Sequence, residues 1–114
     1  MYVIIIKRFV RLDREEEFLK AYRDDRTCHP DFLGETLTKL SVDEGIPETM
    51  ASLFSPDPEC ATYLNIARWK RWDSFVGLCD MTPGWYDKDI EVAPRERAVF
   101  EMVEEANAGS GATP

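Results

Sequence analysis

The chain has 114 residues and a formal net charge of −8; 44% of its residues are hydrophobic and 11% aromatic. That is enough for one domain with a core, and small enough that a partner subunit would add to its stability. The acidic balance repels phosphate backbones and anionic lipid, so nucleic acid and membrane surfaces are excluded as expected partners.

The three cysteines, Cys28, Cys60 and Cys79, are odd in number and far apart, and His29 is the lone histidine. Reduced thiols are expected, with no disulfide frame and no metal site. The opening Met1-Tyr2-Val3-Ile4-Ile5-Ile6 is apolar but meets Lys7-Arg8 at once. It is too short for a signal-peptide core or a membrane span, and a cytoplasmic protein is expected.

Val3 to Val10 is rich in β-branched residues and predicts a first strand. Asp13, with Glu16 three residues on, predicts a capped helix from about Arg14 to Arg26, with Phe18, Leu19 and Tyr22 as its buried stripe. Thr27-Cys28-His29-Pro30-Asp31 ends that helix, since the residue before proline disfavours the helical region, and His29 reads as a turn residue or dipole partner. Phe32 to Ser41 predicts a second strand. Val42 to Cys60, with its prolines and acidic residues, predicts a long loop holding a short helix near Glu48–Leu53. Ala61 to Lys70 predicts a third strand, followed by a helix from Ser74 to about Met81 capped by Asp73. Thr82-Pro83-Gly84 breaks that helix, and a helical turn over Trp85 to Asp89 precedes a fourth strand within Arg95 to Glu104. The domain thus spans residues 1–105, and 106–114 form a flexible tail.

The third strand is the most informative. Alternation places Tyr63, Asn65, Ala67 and Trp69 on one face and Leu64, Ile66 and Arg68 on the other. A buried amide without partners costs roughly 1–3 kcal/mol. A face carrying a phenol, an amide and an indole therefore fits the wall of a small-molecule pocket. The competing reading makes Tyr63 and Trp69 core aromatics and bonds Asn65 to a neighbouring loop.

The element order is strand, helix, strand, strand, helix, strand, an α+β ferredoxin-like arrangement with an antiparallel sheet. Helices cover one face of such a sheet. The other face, apolar at Leu64 and Ile66, needs a second sheet, so a homodimer is expected.

His29-Pro30-Asp31-Phe32-Leu33-Gly34 and Ile66-Ala67-Arg68-Trp69-Lys70-Arg71-Trp72-Asp73-Ser74-Phe75, with the opening strand and helix, resemble the antibiotic biosynthesis monooxygenase superfamily over residues 1 to 104. The resemblance implies a dimeric α+β barrel. Its cofactor-independent branch implies Asn65 and Trp69 as catalytic residues acting on a small hydrophobic phenolic or quinol substrate, whose anion reduces dioxygen directly and ends as a quinone. Tyr22, Tyr63, Phe75, Trp85 and Tyr86 are the substrate-binding residues expected by their place in that fold. Arg68, Arg95 and Arg97 are candidates to stabilise the anion if they turn inward; no base is evident. The haem-degrading branch is similar only at Trp69, because the second helix lacks a histidine and the first strand offers Lys7 where that branch has asparagine. The alternative function is a non-catalytic or differently acting dimeric α+β-barrel protein.

Overall fold

The run Tyr2–Arg11 has seven β-branched or aromatic residues in ten and forms the long central strand β1. In the computed structural model, which describes residues 1–50, 52–54, 57–79 and 81–107, it is followed by helix α1 (Glu15–Asp24), β2 (Phe32–Lys39), β3 (Cys60–Trp69), helix α2 (Trp72–Leu78) and β4 (Glu96–Glu101). The four strands make one antiparallel sheet in the order β2-β3-β1-β4. This α+β architecture is compatible with a ferredoxin-like fold. No described helix is long and apolar enough to cross a membrane.

Both helix starts depart from the sequence expectation. A 3-10 turn over Leu12–Arg14 absorbs Asp13, so α1 begins at Glu15 with Arg14 in the capping position and no side-chain cap; it ends at Asp24. Three glutamates in its first turn still complement the helix dipole. At α2 the residue in the capping position is Arg71, and Asp73 lies inside the helix, where both its oxygens accept bonds from the Arg71 guanidinium at 3.0 and 2.7 Å. α2 is therefore short and stops at Leu78. The start of α2 is also tied to the entry of β2: Ser74 Oγ donates to Asp31 Oδ2 at 2.7 Å and the Lys70 amide to the Asp31 carbonyl at 2.9 Å.

The segment read as a helical turn at Trp85–Asp89 is a pair of turns. It is strapped to β1 by Arg11, whose guanidinium donates to the Lys88 carbonyl at 3.0 and 3.2 Å, and by backbone bonds from Arg11 to Ile90 and from Val92 to Phe9. Among its described residues, the 42–60 loop forms a 3-10 helix at Glu48–Met50 in place of the expected short helix. It lays Phe54 against Lys7, whose ammonium sits 4.3 Å from the ring centroid. The expected tail lies, from 108 onward, outside the described residues.

The core divides in two on the helix-covered face. Phe75 of α2 packs with Ile4, Ile6, Ala67 and Trp69, while Phe18 of α1 packs with Val10, Ala61 and Tyr63. The strand register sets a row of different chemistry between these groups. Asn65 and Arg97 flank Ile6 on its two sides, and Arg8 lies two residues further along β1.

Candidate functional site

Polar side chains on that face line a cleft between the helices and the sheet. A cavity of ≈ 320 Å³ is bordered by Ile6, Arg8, Tyr22, Glu35, Asn65 and Phe75 among others, with Trp85 and Arg95 on the side of the strapped segment. An adjoining space of ≈ 250 Å³ shares Ile6, Glu35, Asn65 and Phe75 and reaches Trp69 and Phe32. These volumes sit at the small end of ligand pockets, the scale of a compact aromatic molecule.

Asn65 is 4% exposed, and its Nδ2 donates to Glu35 Oε2 at 3.1 Å. Its Oδ1 is buried with no hydrogen-bond partner among the described residues. Burial and the neighbouring Glu35 carboxylate raise the pKa of the Tyr22 phenol. Glu35 reaches this position through a bulge. The register between β2 and β3 shifts between Phe32 and Gly34, so Phe32 and Glu35, three residues apart, both face the helices. Gly34 permits the bulge. Its φ is +129°, and a Cβ there would sit 2.7 Å from Arg68 Nη2.

Trp69 is 2% exposed and contacts three rings, Phe32, His29 and Phe75, at centroid distances of 5.3, 5.7 and 5.9 Å. Its Nε1–H is buried and has no acceptor among the described residues. His29 serves the turn before β2: its Nδ1 accepts the Asp31 amide at 3.0 Å and its ring leans on Trp69.

The rest of the lining carries Arg8 and Arg95 together with the carboxylates of Asp25, Asp87 and Glu91. Arg95 turns inward and donates through Nε and Nη2 to the two carboxylate oxygens of Glu91 at 2.8 and 2.9 Å, and its guanidinium lies 5.0 Å from the Trp85 ring centroid. Glu91 is 1% exposed, so its charge is neutralised inside the wall by a charge-assisted pair. Arg8 makes no ion pair among the described residues; burial, with Arg95 as a like-charged neighbour, lowers its pKa to about 10. The Nε atoms of Arg8 and of Arg97, which borders neither space, are buried and without a hydrogen-bond partner among the described residues. Arg68 points the other way, exposed on the open side of the sheet, with a long contact to the Leu33 carbonyl.

Of the residues expected to meet a substrate, Asn65, Trp69, Tyr22, Phe75 and Trp85 border the two connected spaces. Two do not. Tyr63 belongs to the α1 core, its ring 4.7 Å from Phe18 and its hydroxyl donating to Glu15 Oε1 at 2.8 Å; burial and that carboxylate push its pKa up to about 12. Tyr86 lies half-buried beside Lys88, outside the cleft's border. Glu35 and Arg8 were missed. Arg8 was legible from strict alternation with Ile4, Ile6 and Val10, whereas Glu35 was hidden by the bulge.

Comparison with known protein families and with curated proteins returns no match for this sequence. Among the described residues, no group of three or more His, Cys, Asp or Glu side chains is arranged to hold a metal ion.

Proposed function

We propose that this chain is a small cofactor-independent monooxygenase of the antibiotic biosynthesis type, acting as a homodimer on a hydrophobic phenolic or quinol substrate. The observation that carries the reading is the buried Asn65 amide, held through Nδ2 by Glu35 and left with an unpartnered Oδ1 on the border of a cleft. An entering hydroxyl supplies the donor that Oδ1 lacks.

In this reading Glu35, the carboxylate beside Asn65, takes the phenolic proton. The Trp69 Nε1–H, buried and also without a partner, is the donor available to the oxyanion that results. The phenolate passes one electron to dioxygen, and the radical pair joins through a new carbon–oxygen bond para to the hydroxyl. The ring carbon then loses its proton, the oxygen–oxygen bond breaks and water leaves. One naphthol and one dioxygen thus give one naphthoquinone and one water, without an outside reductant. The protein contributes a dry, aromatic-walled space and fixed hydrogen bonds. Support for a homodimer comes from the sheet face that the helices leave open, where Val3, Ile5, Leu64 and Ile66 are half-buried and Phe100 is 53% exposed.

A second reading, a non-catalytic binding protein of the same architecture, is favoured by the packing of Trp69 among three rings, which is how a core residue sits. An oxygen electrode separates the two. With 1-naphthol the oxygenase consumes oxygen and yields the quinone, identified by mass spectrometry; consumption no faster than in buffer overturns the oxygenase reading.

A further inference from the structure

The oxygenase chemistry uses Asn65, Glu35 and Trp69 and leaves the other charges around the larger space without a task. Four carboxylates and two guanidinium groups border it: Asp25, Glu35, Asp87 and Glu91 against Arg8 and Arg95. Arg95 and Glu91 cancel, since Nε and Nη2 of the guanidinium are spent on the two Glu91 oxygens at 2.8 and 2.9 Å. That leaves three carboxylates against Arg8 alone, and none of these four groups forms an ion pair among the described residues. Asp25 stands at the C-terminal end of α1, where the helix dipole already gathers partial negative charge and a cation is the favoured neighbour. Arg26, next in the chain, donates its Nε back to the Arg23 carbonyl at 3.2 Å and borders the adjoining space, not this one. Asp87 is held in the strapped segment by accepting the Asp89 amide through Oδ1 at 3.0 Å.

The surplus of acceptors continues onto the sheet. Asn65 is 4% exposed, borders the same space and holds an Oδ1 with no hydrogen-bond partner among the described residues. Surplus acceptors and surplus negative charge are both met by a ligand that brings donors and positive charge. An ammonium group offers three N–H donors and no acceptor, and a phenol adds one O–H. Ile6, Phe18 and Phe75 on the same border give an aromatic ring its apolar contacts. We infer that the cleft takes a phenol bearing a cationic amine on a short arm, with its hydroxyl at Asn65 and its ammonium against Asp25 and Asp87. This inference rests on the oxygenase reading for the assignment of the Asn65 end and adds the substrate's charge to it.

Calorimetric titration of the full chain with tyramine and with 4-ethylphenol tests it, at neutral pH and about 0.15 M salt, where the field of distant charges is screened. The two ligands share ring, hydroxyl and two-carbon arm and differ in the ammonium. Tyramine is expected to bind at least about tenfold more tightly, the scale of a charge-assisted contact. Asp25→Asn and Asp87→Asn keep side-chain shape, and each is expected to weaken tyramine about threefold while leaving 4-ethylphenol within about twofold. Glu48→Gln, the same change of charge on the exposed 42–60 loop, is expected to leave both affinities in place. Equal affinities of the two ligands for the wild-type protein overturn the inference, as does failure of both to bind; that comparison requires no variant to fold. An undiminished preference in both aspartate variants, with wild-type circular dichroism, also overturns it. So does an equal loss in Glu48→Gln, which would assign the preference to the net charge of −8. The oxygenase reading fails separately, through the absence of quinone from 1-naphthol, which carries no ammonium.

Discussion

The two faces of the sheet invert the usual division of labour. The face covered by helices, where a continuous core is expected, buries an amide, a carboxylate and two arginines between its apolar clusters. The face without helices carries Val3, Ile5, Phe9, Leu64, Ile66 and Phe100. A core serves stability when it is apolar, and buried polar groups without partners weaken it. The covered face therefore reads as a site and the bare one as a surface awaiting cover. Phe54 of the 42–60 loop leans on the bare side at Lys7, away from the cleft.

If that contrast is right, a charge in the middle of the bare face should disrupt assembly without touching the cleft. Ile66→Asp is expected to weaken self-association by at least about a hundredfold, since a desolvated, unpaired carboxylate in an apolar interface is strongly unfavourable; sedimentation across a concentration series reads it. On the covered face, Asn65→Ala is expected to lower the rate of 1-naphthol oxidation by about a hundredfold, on the scale of losing one oriented hydrogen bond at a reacting oxygen, with the dimer intact. Trp69→Phe keeps most of the ring packing and removes only the unpartnered Nε1–H. Turnover should fall about tenfold, with little change in the thermal midpoint.

Smaller effects sharpen the contrast. Arg8→Met removes a cation whose Nε is buried and which makes no ion pair among the described residues, and is expected to raise stability by about 1 kcal/mol, measured by urea unfolding. Away from the cleft, the Glu15 carboxylate is held below its usual pKa by Lys39, 2.7 Å away. A depressed folded-state pKa means stability that is present above the ordinary carboxylate pKa and lost as pH falls through the folded value. Lys39→Met should flatten that acid-limb loss by less than about 1 kcal/mol, because the pair is partly solvated.

Much of this was legible before the structure. The strands announced themselves through β-branched runs, and period-two alternation correctly put Asn65 and Trp69 on one face. What alternation could not give was any position beyond an irregularity. The bulge at Gly34 shifts the face on which Glu35 falls, and this carboxylate beside Asn65, missing from the sequence reading, is the residue immediately after it. The Leu12–Arg14 turn likewise displaced the helix start from its apparent cap. Tyr63 shares a face with Asn65 yet joins the core, because α1 sets Phe18 and Glu15 directly over it. Face is a property of the strand; what covers a face is a property of tertiary packing.

The most direct test of the contrast is an amide and indole NMR titration of the isotopically labelled chain with 1-naphthol. Three indole N–H signals are available, from Trp69, Trp72 and Trp85. The account predicts that the Trp69 indole and the Asn65 side-chain amide shift most, while the exposed Trp72 indole and the backbone amides of Ile5, Ile66 and Phe100 stay in place. Shifts concentrated on Ile5, Ile66 and Phe100, with Trp69 unmoved, would put the ligand on the bare face and contradict it.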